Sequence, residues 1–232
     1  MNVLIAGASR GIGAGLANHF HSAGHAVAGL ARAATEEWAV EPGVIRVQCD
    51  LADERQVRKA FSALRKENLS PRLVVHVAGA FSADLLVMAP EQRVRDVMGA
   101  NVVTAHNVFR EAARAMARAG GRVVGLSSIA AAIPAQGNGI YAASKVALES
   151  LVRSYALEAR GTGCTFNAVR VSFVKDTGMV DELDDAARGR YAERLLAPDD
   201  MDIAVLADVI ELLASPSGAW ISGEVISLGG PV

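Results

Sequence analysis

The stretch Val3-Leu4-Ile5-Ala6-Gly7-Ala8-Ser9-Arg10-Gly11-Ile12-Gly13 decides how this chain folds. Val3 to Ala6 is a short apolar run ending in glycine, the pattern of a strand buried on both faces. Ile12, Leu16, Phe20 and Ala23 follow at helical spacing, and Gly24 suits the position just past a helix end. The loop between them therefore joins a strand to a helix. There, Gly7, Gly11 and Gly13 permit a tight turn, and backbone amides can approach a pyrophosphate at a helix N-terminus. Ser9, Arg10 and Ile12 line the same turn. A glycine-rich loop alone is equally a structural turn; its place between strand and helix marks a dinucleotide site.

Outward from this unit, strand and helix patterns alternate. Strands are expected at His25 to Leu30, Val44 to Cys49, Leu73 to Val77, Arg122 to Leu126, Cys164 to Val171 and Glu224 to Leu228. Between them run a helix with Val57, Phe61 and Leu64 on one face, and a mostly helical segment from Pro90 to about Arg118. A long helix from Asn138 to Arg160, one around Glu182 to Leu195 within a polar stretch, and a last one from Ile203 to Ala214 complete the set. The alternation predicts an α/β fold with right-handed crossovers. No linker or repeat interrupts it, so the expectation is one doubly wound Rossmann-type domain over residues 1–232, a mostly parallel seven-stranded sheet with helices on both faces.

Composition narrows the function. With 51% hydrophobic and 21% charged residues the 232-residue chain is globular. A net charge of -2 without a polybasic run argues against nucleic acid and anionic membrane surfaces. Cys49 and Cys164 lie in apolar strand-like segments and read as buried thiols in a reducing compartment, which makes the cytoplasm the expected location. The N-terminus lacks a basic n-region, and no apolar run is long enough to span a bilayer.

The chemistry centres on Tyr141-Ala142-Ala143-Ser144-Lys145, thirteen residues after Ser128. Four residues is slightly more than one helical turn, so the phenol and the ammonium share a face. A free tyrosine, with a pKa of about 10, is a poor proton donor or base at neutral pH. A nearby lysine cation favours the phenolate and brings that value down. Ser128 can hydrogen-bond the same substrate oxygen. A phosphate-cradling loop followed by a tuned proton donor suggests hydride transfer to or from a carbonyl.

The end of the second strand bears on which dinucleotide binds. An acidic residue there suits the ribose 2′-hydroxyl of NAD, whereas a cation suits the 2′-phosphate of NADP. The strand ends Gly29-Leu30-Ala31-Arg32, with no carboxylate before Glu36. Arg32 and Arg10 could clamp a phosphate with forked donors, or could be solvated surface residues. NADP(H) is the expected cofactor.

These features together resemble the short-chain dehydrogenase/reductase family over essentially the whole chain. Its motifs stand in order: the glycine loop, Asp50-Leu51 after the third strand, an Ala78-Gly79-Ala80 turn after the fourth, Asn101, Ser128, and Tyr141 to Lys145. The likeness is nearest to the 3-oxoacyl-carrier-protein reductase group, in length and in the closing segment from Trp220 to Gly230. The resemblance implies that Asp50 touches the adenine, that Leu51, Ala78 and Gly79 line the cofactor, and that Thr177 contacts the carboxamide. It implies Tyr141 as proton donor, Lys145 on the nicotinamide ribose, Ser128 on the carbonyl, and Asn101 anchoring a water. A homotetramer is implied too. Three departures from the family stand out: Ala6 replaces a threonine, His76-Val77 an asparagine pair, and Val171-Ser172 a Pro-Gly pair.

The function expected is an NADPH-dependent ketoreductase. The same machinery running backwards is an NADP-linked secondary alcohol dehydrogenase, and a non-catalytic dinucleotide sensor is the rival from another class. A metal site is not expected, since His19 and His21 do not share a helix face. Serine hydrolase chemistry is set aside because no nucleophile elbow is present. The small apolar segment Ile129 to Ile133 suits a ketone on an apolar chain, small or tethered to a carrier. Arg118 and Arg160 are the residues expected to meet an acidic carrier near the pocket mouth.

Overall fold

The computed structural model describes residues 1–175, 177, 189, 192–197 and 199–231. Seven strands form a single sheet in the order β3-β2-β1-β4-β5-β6-β7, and every neighbouring pair is parallel. The strands are β1 (Asn2–Ala6), β2 (Ala26–Ala31), β3 (Ile45–Gln48), β4 (Leu73–His76), β5 (Gly121–Ser128), β6 (Cys164–Val171) and β7 (Val225–Ser227). The expected strands are all present, with ends moved by a few residues at most. The chain crosses from one half of the sheet to the other between β1 and β4. At such a switch point the loops at the strands' carboxyl ends part and leave a crevice.

Alternation along β1 explains the two layers. Val3 and Ile5 point into a core with Leu16 and Phe20 of α1 (Gly11–Ser22), and with Leu206 and Ile210 of α6 (Ile203–Ala214). Leu4 and Ala6 point the other way, toward Val57 and Phe61 of α2 (Glu54–Lys66). Phe109 of α4 (Thr104–Met116) and Leu148 and Val152 of α5 (Gly139–Glu158) fill the rest of that layer. Gly24 takes the left-handed conformation, φ 81°, one residue past the α1 cap, as its place in the sequence predicts.

The segment read as mostly helical from Pro90 to Arg118 is built in three parts. Pro90 caps α3 (Glu91–Met98), and a π-helical turn, Gly99–Val103, joins α3 to α4. Such turns often mark functional sites, and this one carries Asn101. The helix expected around Glu182 to Leu195 falls mostly outside the described residues. Among the described residues, no helix is long and apolar enough to cross a membrane. The two tryptophans occupy opposite environments, Trp38 buried at 5% exposure and Trp220 at 93%.

Candidate active site

The glycine loop is built for close approach of backbone to backbone. A Cβ on Gly13 would stand 1.9 Å from the Gly7 carbonyl oxygen, and one on Gly7 would stand 2.5 Å from the Ala78 nitrogen. Gly7 and Gly11 also take positive φ, 102° and 55°. The amides of Gly7 and Ala8 are spent on Leu30 O. Arg10 caps α1 without a side-chain hydrogen bond, and no acidic residue occupies the first turn. The helix thus presents uncapped N–H donors to the crevice. Exposed Arg10 and Arg32 follow the carboxyl ends of β1 and β2, and neither makes an ion pair among the described residues. Thr177 reaches the same loop: its carbonyl oxygen would lie 3.0 Å from a Gly11 Cβ, while Oγ1 donates to Val174 O at 2.8 Å. A cradle that a Cβ would fill, a helix N-terminus without a side-chain cap and two cations without an ion pair among the described residues fit a dinucleotide.

Asp50 sits in the turn after β3, its carboxylate accepting from Ala52 N at 3.0 Å. Leu51 is buried, and its carbonyl accepts from Asn107 Nδ2 on α4 at 3.0 Å. Val77 N and Ala78 N both donate to Ala6 O, which sets the path of the turn leading to Gly79.

Four further residues converge beside that turn. A Cβ on Gly79 would meet Asn101 Oδ1 at 2.7 Å and Lys145 Nζ at 3.5 Å, so both polar ends lean over the glycine. Asn101, fully buried, accepts from Ala80 N at 2.7 Å and donates to Ala80 O at 3.0 Å and Ser144 Oγ at 2.7 Å. Ser144 Oγ in turn donates to Tyr141 O at 2.6 Å, tying the π-helical turn to α5. Tyr141 is 5% exposed, with Phe81 edge-on at 5.1 Å between ring centroids. Lys145 Nζ lies 5.6 Å from the Tyr141 ring centroid and donates to Leu126 O at 2.9 Å. Burial pulls the ammonium down to about 8, and the Glu149 carboxylate one turn on opposes the fall. Ser128 ends β5, its Oγ accepting from Ala130 N at 3.2 Å, which leaves its hydroxyl hydrogen available to donate. Ala130 packs with Tyr141 and Ala142, so serine and tyrosine border one apolar cluster.

A family model described as enoyl-(acyl carrier protein) reductase matches residues 7–230. The chain belongs to the short-chain dehydrogenase/reductase family. It is an oxidoreductase acting on CH–OH and C=O groups, and the family binds a nicotinamide dinucleotide. The 3-oxoacyl-(acyl-carrier-protein) reductase MabA of Mycobacterium tuberculosis is 30% identical over 230 residues, covering 99% of this chain and 91% of that protein. The 3-oxoacyl-(acyl-carrier-protein) reductase FabG of Pseudomonas aeruginosa is 28% identical, covering 98% and 95%. A solved short-chain dehydrogenase/reductase from Mycobacterium ulcerans superposes with a TM-score of 0.88 at 25% identity, over 99% of this chain and 91% of that one.

Against this family pattern, one expectation needs correcting. Arg118 precedes β5 and Arg160 follows α5, so both lie at the amino ends of the strands. Ser128 and Tyr141 lie at the carboxyl ends. Arg160 is past the far end of a 20-residue helix, roughly 30 Å from Tyr141 at the α-helical rise. Neither arginine can line the mouth of this site. Residues the sequence reading missed are Phe81, Thr104, Asn107, Ser144, Glu149 and Arg170. Ser144 and Glu149 carried a readable signal, one adjoining Lys145 and the other a helical turn beyond it.

The family departure at His76 is also informative. Thr104 donates its hydroxyl hydrogen to Ala100 O at 2.6 Å, so in the 3.0 Å contact His76 Nε2 must be the donor. This chain links β4 to the π-helical turn under Asn101. Burial, with the Lys145 charge adding to it, holds His76 down to about 3 from 6.5. Between those values the unfolded chain binds a proton that the folded chain excludes, so stability falls as pH drops through the window. From pH 7 to 5 the loss attributable to this group is about 2 kcal/mol. Urea unfolding of His76→Asn at both pH values should show a correspondingly smaller acid loss than wild type; equal losses would refute the assignment.

Proposed function

We propose that this protein is an NADPH-dependent ketoreductase in which Tyr141 protonates the substrate carbonyl oxygen, with residues 1–232 acting as one nucleotide-binding and catalytic domain. The observation that carries the reading is the convergence of Asn101 and Lys145 over Gly79, beside Tyr141, at the switch point of the sheet. When bound, the nicotinamide supplies the hydride. Ser128 donates to the developing oxyanion, which is where preorganised donors lower the barrier most. Lys145, as a cation, holds the ribose and favours the Tyr141 phenolate. Asn101 Oδ1 keeps one lone pair beyond its Ala80 bond, enough to anchor a water that reprotonates the site.

Arg10 and Arg32 support NADPH over NADH, and Gly7, Ser9, Gly11, Ile12, Gly13, Asp50, Leu51, Ala78 and Thr177 form the rest of the cofactor site in this reading. Arg32→Asp sets a carboxylate where a phosphate dianion would lie. NADPH affinity should fall at least tenfold and the preference move toward NADH. Wild-type protein binding NADH as tightly as NADPH in a fluorescence titration would defeat the cofactor assignment.

The substrate proposed is a ketone on an apolar chain, most naturally a β-ketoacyl thioester, as the names of the relatives suggest. Ile129 and Ile133 pack with Phe173 and Leu195 into a separate apolar cluster next to Ser128 and support that choice. Steady-state NADPH oxidation with acetoacetyl thioesters, set against cyclic and aromatic ketones, tests it. Thioester efficiency a hundredfold below that of the others would move the enzyme to small free ketones. Tight NADPH binding with no turnover across the panel would make it a sensor. A cytoplasmic homotetramer completes the proposal. Exposed Val103 and Val146 beside α4 and on α5, and exposed Val205, Leu212 and Trp220 near the C-terminus, supply apolar surface for two interfaces. A monomer mass by light scattering at micromolar concentration would reject it.

A further inference from the structure

Tyr141, Lys145 and Glu149 recur every four residues and so form one row along α5. Glu149 is buried at 2% exposure, and its carboxylate is fully engaged. Oε1 accepts from Ser127 Oγ and from Arg170 Nε, each at 2.7 Å, and Oε2 accepts from Arg170 Nη2 at 2.7 Å. Ser127 and Arg170 are register partners across β5 and β6. Each adjoins the reactive edge: Ser128 follows Ser127, and the Val171-Ser172 replacement follows Arg170. One carboxylate thus joins α5, β5 and β6 where the serine, the tyrosine and the pocket wall originate.

Stability is a weak reason for such a group, since a buried ion pair is often no better than a well-packed apolar pair. Its place one turn from Lys145 is a stronger one. We propose that Glu149 is a positioning residue: its buried carboxylate, clamped by Arg170 and Ser127, keeps Lys145 in the ammonium form through turnover. The proposal rests on the reading of Lys145 as the cation that tunes Tyr141. The groups near Lys145 are Tyr141 and Glu149 on α5, His76 on β4 and Asn101 on the π-helical turn, and Arg170 on β6 bears on it through its bonds to Glu149. His76 is neutral near pH 7 and Asn101 carries no charge. The Arg170 side chain is 21% exposed against 3% for Glu149, so solvent screens the guanidinium more than the carboxylate. The Glu149 carboxylate opposes the desolvation that otherwise drives the proton off Lys145.

The test follows the lysine directly. The chain has lysines only at positions 59, 66, 145 and 175, so the Cε signals of selectively 13C-labelled protein can be assigned by comparison with Lys145→Met. Titrated without cofactor or substrate, wild-type Lys145 should show a midpoint near 8. Glu149→Gln keeps the shape and removes the charge, and should lower that midpoint on the order of one pH unit. The alkaline limb of kcat should move down with it, while KM for the ketone stays nearly constant. A Glu149→Gln midpoint within about 0.2 pH unit of wild type, a negligible interaction energy, overturns the proposal. If Glu149→Gln does not fold, Glu149→Gln/Arg170→Met, which leaves neither charge uncompensated, is read by the same criterion. Should the midpoint move while Lys145→Met keeps full activity, the coupling of Glu149 to Lys145 stands and the ketoreductase reading of Lys145 on which its role in turnover rests fails.

Discussion

Replacing Tyr141 with phenylalanine should lower kcat for ketone reduction by about two to four orders of magnitude, the usual cost of losing a positioned general acid. The ring is 5% exposed, packs with Ala130 and Ala142 and meets Phe81 edge-on. Phenylalanine preserves all of that apolar contact, so circular dichroism and the NADPH dissociation constant should change little. The loss therefore belongs in kcat rather than in cofactor binding. The loss of NADPH absorbance as a ketone substrate is reduced reads it directly. A variant keeping more than about half the wild-type rate would end the case for Tyr141 as the acid.

A single methyl group at Gly13 should be nearly as damaging by a different route. The Cβ of Gly13→Ala would lie 1.9 Å from Gly7 O and 3.2 Å from the Ala8 Cα. Both neighbours are backbone, so no side chain can rotate away and the loop itself must move. Overpacking of this kind costs about 1–3 kcal/mol of stability, and it displaces the amides offered to the pyrophosphate. NADPH affinity should drop by about a hundredfold or more, as several phosphate hydrogen bonds are lost together. Gly15→Ala is the control, since two residues on the nearest atoms to the same new methyl belong to the Ile203 side chain, the first at 3.0 Å. Near-equal NADPH affinity of Gly13→Ala and Gly15→Ala would refute the cradle.

What could be read from sequence was what local spacing encodes. The loop from Gly7 to Gly13 and the Tyr141 to Lys145 row each lie within a few residues, and their geometry follows from one strand end or one helical turn. The bridge from Glu149 to Arg170 spans 21 residues and depends on which strands are neighbours, so spacing alone does not reveal it. The π-helical turn around Asn101 was also hidden, because one extra residue in a helix leaves the apolar periodicity almost unchanged. Arg118 and Arg160 went wrong for a third reason. Their positions before β5 and after α5 were readable, but strand polarity puts those junctions on the edge of the sheet opposite Ser128 and Tyr141.

The contrast between the chain's two indoles makes the protein its own optical instrument. Trp38 is wedged against Gly29, its Cζ3 only 2.8 Å from where a Cβ would be, next to Ala8 of the glycine loop, and it donates from Nε1 to Ala33 O. Its emission should be blue-shifted, deaf to iodide and sensitive to whatever settles in that loop. Trp220, bare to solvent on a single chain in the 3-10 turn Ser217–Trp220, should emit further to the red and be quenched freely once the proposed subunits are diluted apart. Nucleotide titrations and dilution series would therefore perturb different halves of one spectrum. Loading of the crevice and association of subunits become separable in a single cuvette without any label.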